Sequence, residues 1–135
     1  MDFVREAAIS DMFEIESSKL ALLRSDSATK DFATQMIGDH SKTTAELKSA
    51  ARTANIPLPT VLDGSLRVKL DKLRGLDGTA FTRQYLDDQV SAHKDAVSLF
   101  ERYGRGGDNA TIKAWAVQTL PHLQHHLDMA TALDK

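Results

Sequence analysis

Three histidines recur at equivalent places in three separate stretches of this chain. His40, His93 and His126 each sit on an apolar stripe of helical spacing, and Glu14 lies beside a fourth such stripe, so each long segment supplies one residue of metal-ligand type. Three neutral imidazoles and one carboxylate make a good coordination shell for zinc, and the same donors suit iron or copper. The chain has no cysteine, which removes disulfides, thiolate ligands and thiol nucleophiles and leaves any metal to histidine and carboxylate. A second reading competes. Buried polar groups without partners cost several kcal/mol, so the same four residues can form a hydrogen-bonded layer that fixes helix register and binds nothing, and the spacing alone does not separate that layer, or coincidence, from a metal site.

Other signals cluster around these four. His122, His125 and His126 are close in sequence, and His122 with His126 is an i,i+4 pair able to grip an ion on one helix face, although such pairs also bind metal adventitiously. Asp39 beside His40 and Gln89 one turn before His93 are candidates for orienting the imidazoles from behind, as are His122 and His125; Asp39 reads equally well as part of a solvated face. Trp115, Phe32, Phe81 and Tyr85 fall at helical core positions and are read as packing. No glycine-rich phosphate loop follows a strand, and no Ser/His/Asp nucleophile set is suggested.

The elements that position these residues are helices. Residues 2–25 contain no Gly or Pro and place Ala8, Met12, Ile15 and Leu22 on one side. After the turn formers Ser25, Asp26 and Ser27, a second helix is expected over 28–54, with Ala33, Met36, His40, Thr43, Leu47, Ala50 and Ala54 spaced 3 and 4 in alternation. Gly38 is its one weak point, unless something packs closely on that backbone. Residues 55–78 carry Pro57, Pro59, Gly64, Gly75 and Gly78 and read as an irregular crossover in which only Leu66–Leu73 could make a short helix. A third long helix over 79–103, capped by Thr79 and stopped by Gly104-Arg105-Gly106-Gly107, carries Leu86, Gln89, His93, Ala96, Phe100 and Tyr103. A fourth over 109–134, capped by Asp108 or Asn109, carries Ile112, Ala116, Thr119, Leu123, His126, Ala130 and Leu133. Pro121 lies inside it and is expected to kink it beside the histidines. The pattern predicts one all-α domain, 1–135: a four-helix bundle with a long crossover between its second and third helices.

Helix rise tests whether the four polar residues meet. Glu14 lies 11 residues before Ser25 and His40 lies 11 after Thr29, so both are expected about 16 Å from the first turn. His93 lies 11 residues before Gly104 but His126 lies 18 after Asp108, an offset of about 10 Å that side-chain reach and a kink at Pro121 would have to close.

Composition narrows the function classes. The 135 residues are 41% hydrophobic and 27% charged, ordinary for a globular domain, and the net charge of -2 has no basic stripe of the kind nucleic-acid binding uses. No apolar run approaches the roughly 18 residues of a membrane span, and the opening MDFVREAAIS lacks the apolar segment of an export signal. A monomer or weak homodimer is expected.

FVREAA at 3–8, Glu14, FATQM at 32–36 followed by Asp39-His40, Leu47, YLDDQVSAH at 85–93 and TLPHLQHHL at 119–127 together resemble the domain of unknown function family 4142, over nearly the whole chain. The resemblance implies a ferritin-like four-helix bundle, mostly bacterial and exported to the periplasm or outer membrane, with the family pattern falling on Glu14, Asp39-His40, His93 and His126 after Leu120-Pro121. Since such proteins generally carry an export signal, this sequence is expected to be a mature domain. Ferritin-like di-iron sites use Glu-x-x-His, whereas here Ile37 and Leu123 stand three residues before His40 and His126. The bridging carboxylates are missing, so ferroxidase chemistry is not implied and a single-ion site fits better. The expected role is therefore metal binding, zinc first. Behind it come a helical interaction module docking a protein through Ile56, Leu58, Val61 and Leu62 of the crossover, and then an enzyme, which would need an open coordination position.

Overall fold

In the first helix the polar residues set the core-facing stripe. The computed structural model describes residues 2–134, and in it α1 (Asp2–Arg24) buries Val4, Ala7, Asp11, Glu14, Ser18 and Ala21, spaced 3, 4, 3, 4 and 3. This corrects the expected stripe. Ala8 is buried, but Met12 and Ile15 are half-buried and Leu22 is exposed, because the helix is turned by one residue, about 100°, to bring Asp11, Glu14 and Ser18 inside.

The other long helices bury the stripes their sequences predict. In α2 (Ser27–Thr53), Ala33, Met36, His40, Leu47 and Ala50 are buried; Asp26 caps it, its carboxylate accepting from the Thr29 N–H at 2.8 Å. After α3 (Gly64–Arg74), α4 (Gly78–Gly106) buries Leu86, Gln89, His93, Ala96 and Phe100, and α5 (Ala110–Leu133) buries Ile112, Ala116, Thr119, Leu123, His126 and Ala130. Asp77 rather than Thr79 caps α4, through the Gly78 N–H, and Asn109 caps α5 through the Ile112 N–H at 3.0 Å. Phe32, Phe81, Tyr85 and Trp115 are all core residues. The chain is all-helical, with five helices and no strand among the described residues.

Each long helix packs on two of the others, α1 on α2 and α4, and α5 on α2 and α4. Neighbours run antiparallel: Phe3 meets Phe100 with ring centroids 4.9 Å apart while Ser18 meets Tyr85 at 2.7 Å, and Asp39 meets His126 while Glu46 meets Trp115. The crossover forms its short helix on the stretch where the sequence allowed one, extended at both ends to Gly64–Arg74. α3 lies against α1 and α4, buries Leu70 and Leu73, and has its end held by Arg24, whose guanidinium donates to the carbonyls of Leu73, Arg74 and Leu76 at 2.7–3.3 Å. Ile56 and Leu58 pack inward against the core and Leu62 is buried, so of the four residues expected to form an exposed patch only Val61 does so.

Apolar packing falls into two clusters. One holds Phe3, Val4, Leu47, Phe100, Ile112 and Trp115; the other holds Phe13, Phe32, Met36, Leu73, Phe81 and Tyr85. On α2, α4 and α5 the histidines lie between the stretches that feed the two clusters.

Candidate metal centre

His40 from α2, His93 from α4 and His126 from α5 converge in that interval. Their ring centroids are 5.2–5.7 Å apart, one ring nitrogen from each lies within 4.8 Å of the others, and all three residues are at most 2% exposed. The expected offset between His93 and His126 is less than half as large because α4 does not stop at Gly104. It continues to Gly106, so His93 is 13 residues from the end of α4 and His126 is 16 from the start of α5, a difference worth about 4.5 Å. Pro121 sits inside an unbroken α5, where the carbonyl it leaves unbonded belongs to exposed Val117.

Each imidazole is anchored through one nitrogen. His93 Nδ1 donates to the Gln89 carbonyl at 2.8 Å, His40 Nδ1 to Asp11 Oδ1 at 2.8 Å, and His126 Nε2 to Asp39 Oδ2 at 2.8 Å. A carbonyl only accepts, so the His93 proton is on Nδ1 and its Nε2 carries a free lone pair. Carboxylate partners fix the other two rings in the same sense. The opposite nitrogens, His40 Nε2, His93 Nε2 and His126 Nδ1, are buried without a hydrogen-bond partner.

Electrostatics keep two rings neutral. Burial, with the neighbouring His40, pushes His93 down to about 3, and burial pushes His126 down to about 4 against the opposing pull of Asp39. For His40, burial is outweighed by the Asp11 hydrogen bond and the charges of Asp11, Glu14 and Asp39, so its affinity for a proton rises. Burial also opposes ionisation of Asp39, but His126, Gln35 and His40 together hold that carboxyl below its usual range.

Glu14 is 1% exposed and neither carboxylate oxygen makes a hydrogen bond of good geometry. Burial raises it to about 7, with Asp11 and Asp88 adding and His40 and the Gln89 amide only partly offsetting. It faces the same buried interval, although the mutually close set consists of the three histidines. Gln89 orients His93 through its backbone, while its side chain donates weakly to Ser17 Oγ at 3.4 Å. His122 and His125 are exposed, and neither hydrogen-bonds a triad histidine.

Asp11 was missed in the sequence. Its Oδ2 accepts from the hydroxyls of Thr43 at 3.0 Å and Thr44 at 3.1 Å while Oδ1 takes His40. The signal was its position one turn before Glu14, visible only once the stripe on α1 is allowed to be polar.

A cleft of about 80 Å³ between α2 and α5 reaches His40 and His126, with Asp39, Thr43, Glu46 and His122 among its walls. That volume holds a few waters, enough for an ion or a small molecule to approach and too small for a larger substrate. No helix among the described residues is long and apolar enough to cross a membrane.

A model of the family described as Domain of unknown function (DUF4142) matches residues 1–133. No curated protein and no solved structure matches the chain.

Proposed function

The chain belongs to that family, a membership that assigns no chemistry, and from the geometry of its core we propose that His40, His93 and His126, with Glu14 as fourth donor, hold one divalent transition-metal ion. One observation carries the reading. Each imidazole has one nitrogen anchored by an acceptor and the other buried and unpartnered, and one ring nitrogen from each histidine lies within 4.8 Å of the others. A layer that only fixes helix register would pair these atoms with one another, since each orphaned buried donor or acceptor costs about 1–3 kcal/mol. Ligating histidines almost always donate their second nitrogen to a carboxylate or carbonyl, which is the arrangement of Asp11, Gln89 and Asp39.

The donor set fits. Around zinc at about 2.0–2.1 Å, ligand atoms sit about 3.3–3.4 Å apart, so nitrogens up to 4.8 Å apart need to close by at most about 1.4 Å, within reach of side-chain rotations. Three imidazoles and one carboxylate form an ordinary tetrahedral zinc shell, which puts zinc first here, while the same donors accept iron or copper. With Glu14 bound, the shell is closed and the role is storage, sensing or structure rather than turnover. The scaffold is read as a ferritin-like four-helix bundle: antiparallel neighbours, with residues 54–77 joining two parallel helices, support it. An exported, periplasmic location and a monomeric or weakly dimeric state belong to the same proposal; the location rests on the family resemblance alone. A protein partner on the crossover is disfavoured, since Ile56, Leu58 and Leu62 are turned inward.

Metal analysis of untagged protein tests the reading, before and after incubation with zinc, iron or copper. One equivalent in the wild type, lost in His40→Ala, His93→Ala and His126→Ala variants that keep their helical spectrum, is expected. Less than about a tenth of an equivalent after loading with any of the three would leave a polar layer only.

A further inference from the structure

On the far side of α2 from the cleft that reaches the histidines, the chain leaves a second cavity that its own packing does not fill. α2 ends in a turn where Asn55 takes a left-handed conformation, φ 59°, and the Ile56 N–H bonds back to the Ala51 carbonyl at 2.8 Å. That reversal lays Ile56, Leu58 and Pro59 over the α1–α2 surface without closing on it. The space beneath is about 420 Å³, inside the usual range for small-ligand sites, and its walls include Ala8, Met12, Leu47, Ala51, Ile56 and Leu58.

The charge around this cleft is one-sided. Lys48 and Arg52 line it from adjacent turns of α2, both exposed, and no Asp or Glu is among the lining residues. Residues four apart on a helix present their side chains together, so the two cations stand side by side over one apolar trough. Neither has an ion-pair or side-chain hydrogen-bond partner among the described residues, whereas Arg5, Arg67 and Arg74 are paired to Asp63 or Asp71.

We propose that this cleft binds a single-chain carboxylate of the medium-chain fatty acid class, its hydrocarbon between Met12, Leu47, Ile56 and Leu58 and its carboxylate between Lys48 and Arg52. The apolar walls would supply affinity in proportion to the surface removed from water, and the paired cations would select an anion over a neutral or cationic amphiphile. A free monomeric acid is the occupant, since a narrow cleft of about 420 Å³ accepts one chain and not a bilayer surface.

Calorimetric titration with decanoate below its micelle concentration tests this, alongside decanol, decyltrimethylammonium and phosphatidylglycerol vesicles. Saturable one-to-one binding of decanoate is expected, at least tenfold tighter than of decanol. The double variant Lys48→Glu/Arg52→Glu should lose at least tenfold in decanoate affinity and bind decyltrimethylammonium better than the wild type. Thr60→Trp, an exposed wall position, should block decanoate while leaving the helical spectrum and metal content unchanged, which separates this cleft from the histidine site. No saturable binding, equal affinity for decanol and decanoate, decanoate binding indifferent to both variants, or binding to vesicles alone would each overturn the proposal.

Discussion

Asp11 grips His40 with one carboxylate oxygen and is itself gripped by the other, Oδ1 taking the imidazole at 2.8 Å while Oδ2 accepts from Thr43 and Thr44. The two hydroxyls come from the same helix as the histidine, so the ring is held from α1 and α2 at once. Removing the charge of Asp11 weakens the carboxylate hydrogen bond to the most basic histidine of the triad. Asp11→Asn should lower metal affinity by about 10- to 100-fold with helix content intact. Competition against a chelator of known affinity measures it, and a change under threefold would detach Asp11 from the site.

Asp39 holds His126 from a more exposed position, its side chain 44% accessible against 10% for Asp11. Water can replace an exposed hydrogen-bond partner and cannot replace a buried one. Asp39→Asn should therefore cost less metal affinity than Asp11→Asn in the same competition assay, and the reverse order would mean that burial does not rank these two contacts.

The metal-free protein should have a stability optimum in pH with different residues on its two flanks. Glu14 is raised to about 7 from an unfolded value near 4.5, so the folded state holds the proton more tightly and this contribution, present below about 4.5, is lost as pH rises through 7. The loss is on the order of 3 kcal/mol by pH 8. His93 and His126, pushed down to about 3 and about 4, act oppositely: below about 6.5 the unfolded chain takes protons that the folded core refuses, and stability falls with pH. His40, whose proton affinity is also raised, adds to the alkaline decline, so thermal melts of chelator-treated Glu14→Gln from pH 5 to 9 should show a smaller alkaline decline and keep the acid one. Parallel profiles for variant and wild type would show that Glu14 does not ionise in the fold.

Gly38 is exposed, and a methyl group added there meets nothing within 4 Å. The close backbone packing that would have explained a glycine in mid-helix is absent. Gly38→Ala should therefore stabilise the protein by up to about 1 kcal/mol, read as a higher melting temperature with unchanged metal content. A destabilised variant would show that α2 needs its flexibility at that turn.

The histidines were legible in the sequence for a simple reason. On α2, α4 and α5 the core stripe is mostly apolar, with Thr43 beside His40 and Gln89 beside His93 as polar neighbours, so the alternation of 3 and 4 stood out and the histidine on it was conspicuous. α1 hid its stripe because Asp11, Glu14 and Ser18 occupy half of it, and a search for apolar spacing settles one residue away. The match in height between His93 and His126 was equally hidden: Gly104 and Gly106 look like a stop, but nothing in their spacing tells that helical hydrogen bonding persists to Gly106. The crossover misled in the other direction. Its prolines and glycines mark real breaks, yet the partners that bury Leu62, Leu70 and Leu73, and the Arg24 contacts that hold α3, come from distant positions in the chain.

That match in height makes Pro121 testable. The sequence pattern asks Pro121 to bend α5 so that His126 can reach the layer of His93, whereas the extension of α4 to Gly106 already reduces the offset to about 4.5 Å, within side-chain reach. Proline inside a helix removes one hydrogen bond and crowds the preceding turn, at a cost of about 3 kcal/mol against alanine. Pro121 is itself exposed, so alanine there leaves no buried cavity. Pro121→Ala should raise the melting temperature and keep metal affinity within threefold of the wild type. An affinity loss above tenfold with helix content unchanged would mean that the backbone at Pro121 places His126, and that the length of α4 alone does not bring the three rings together.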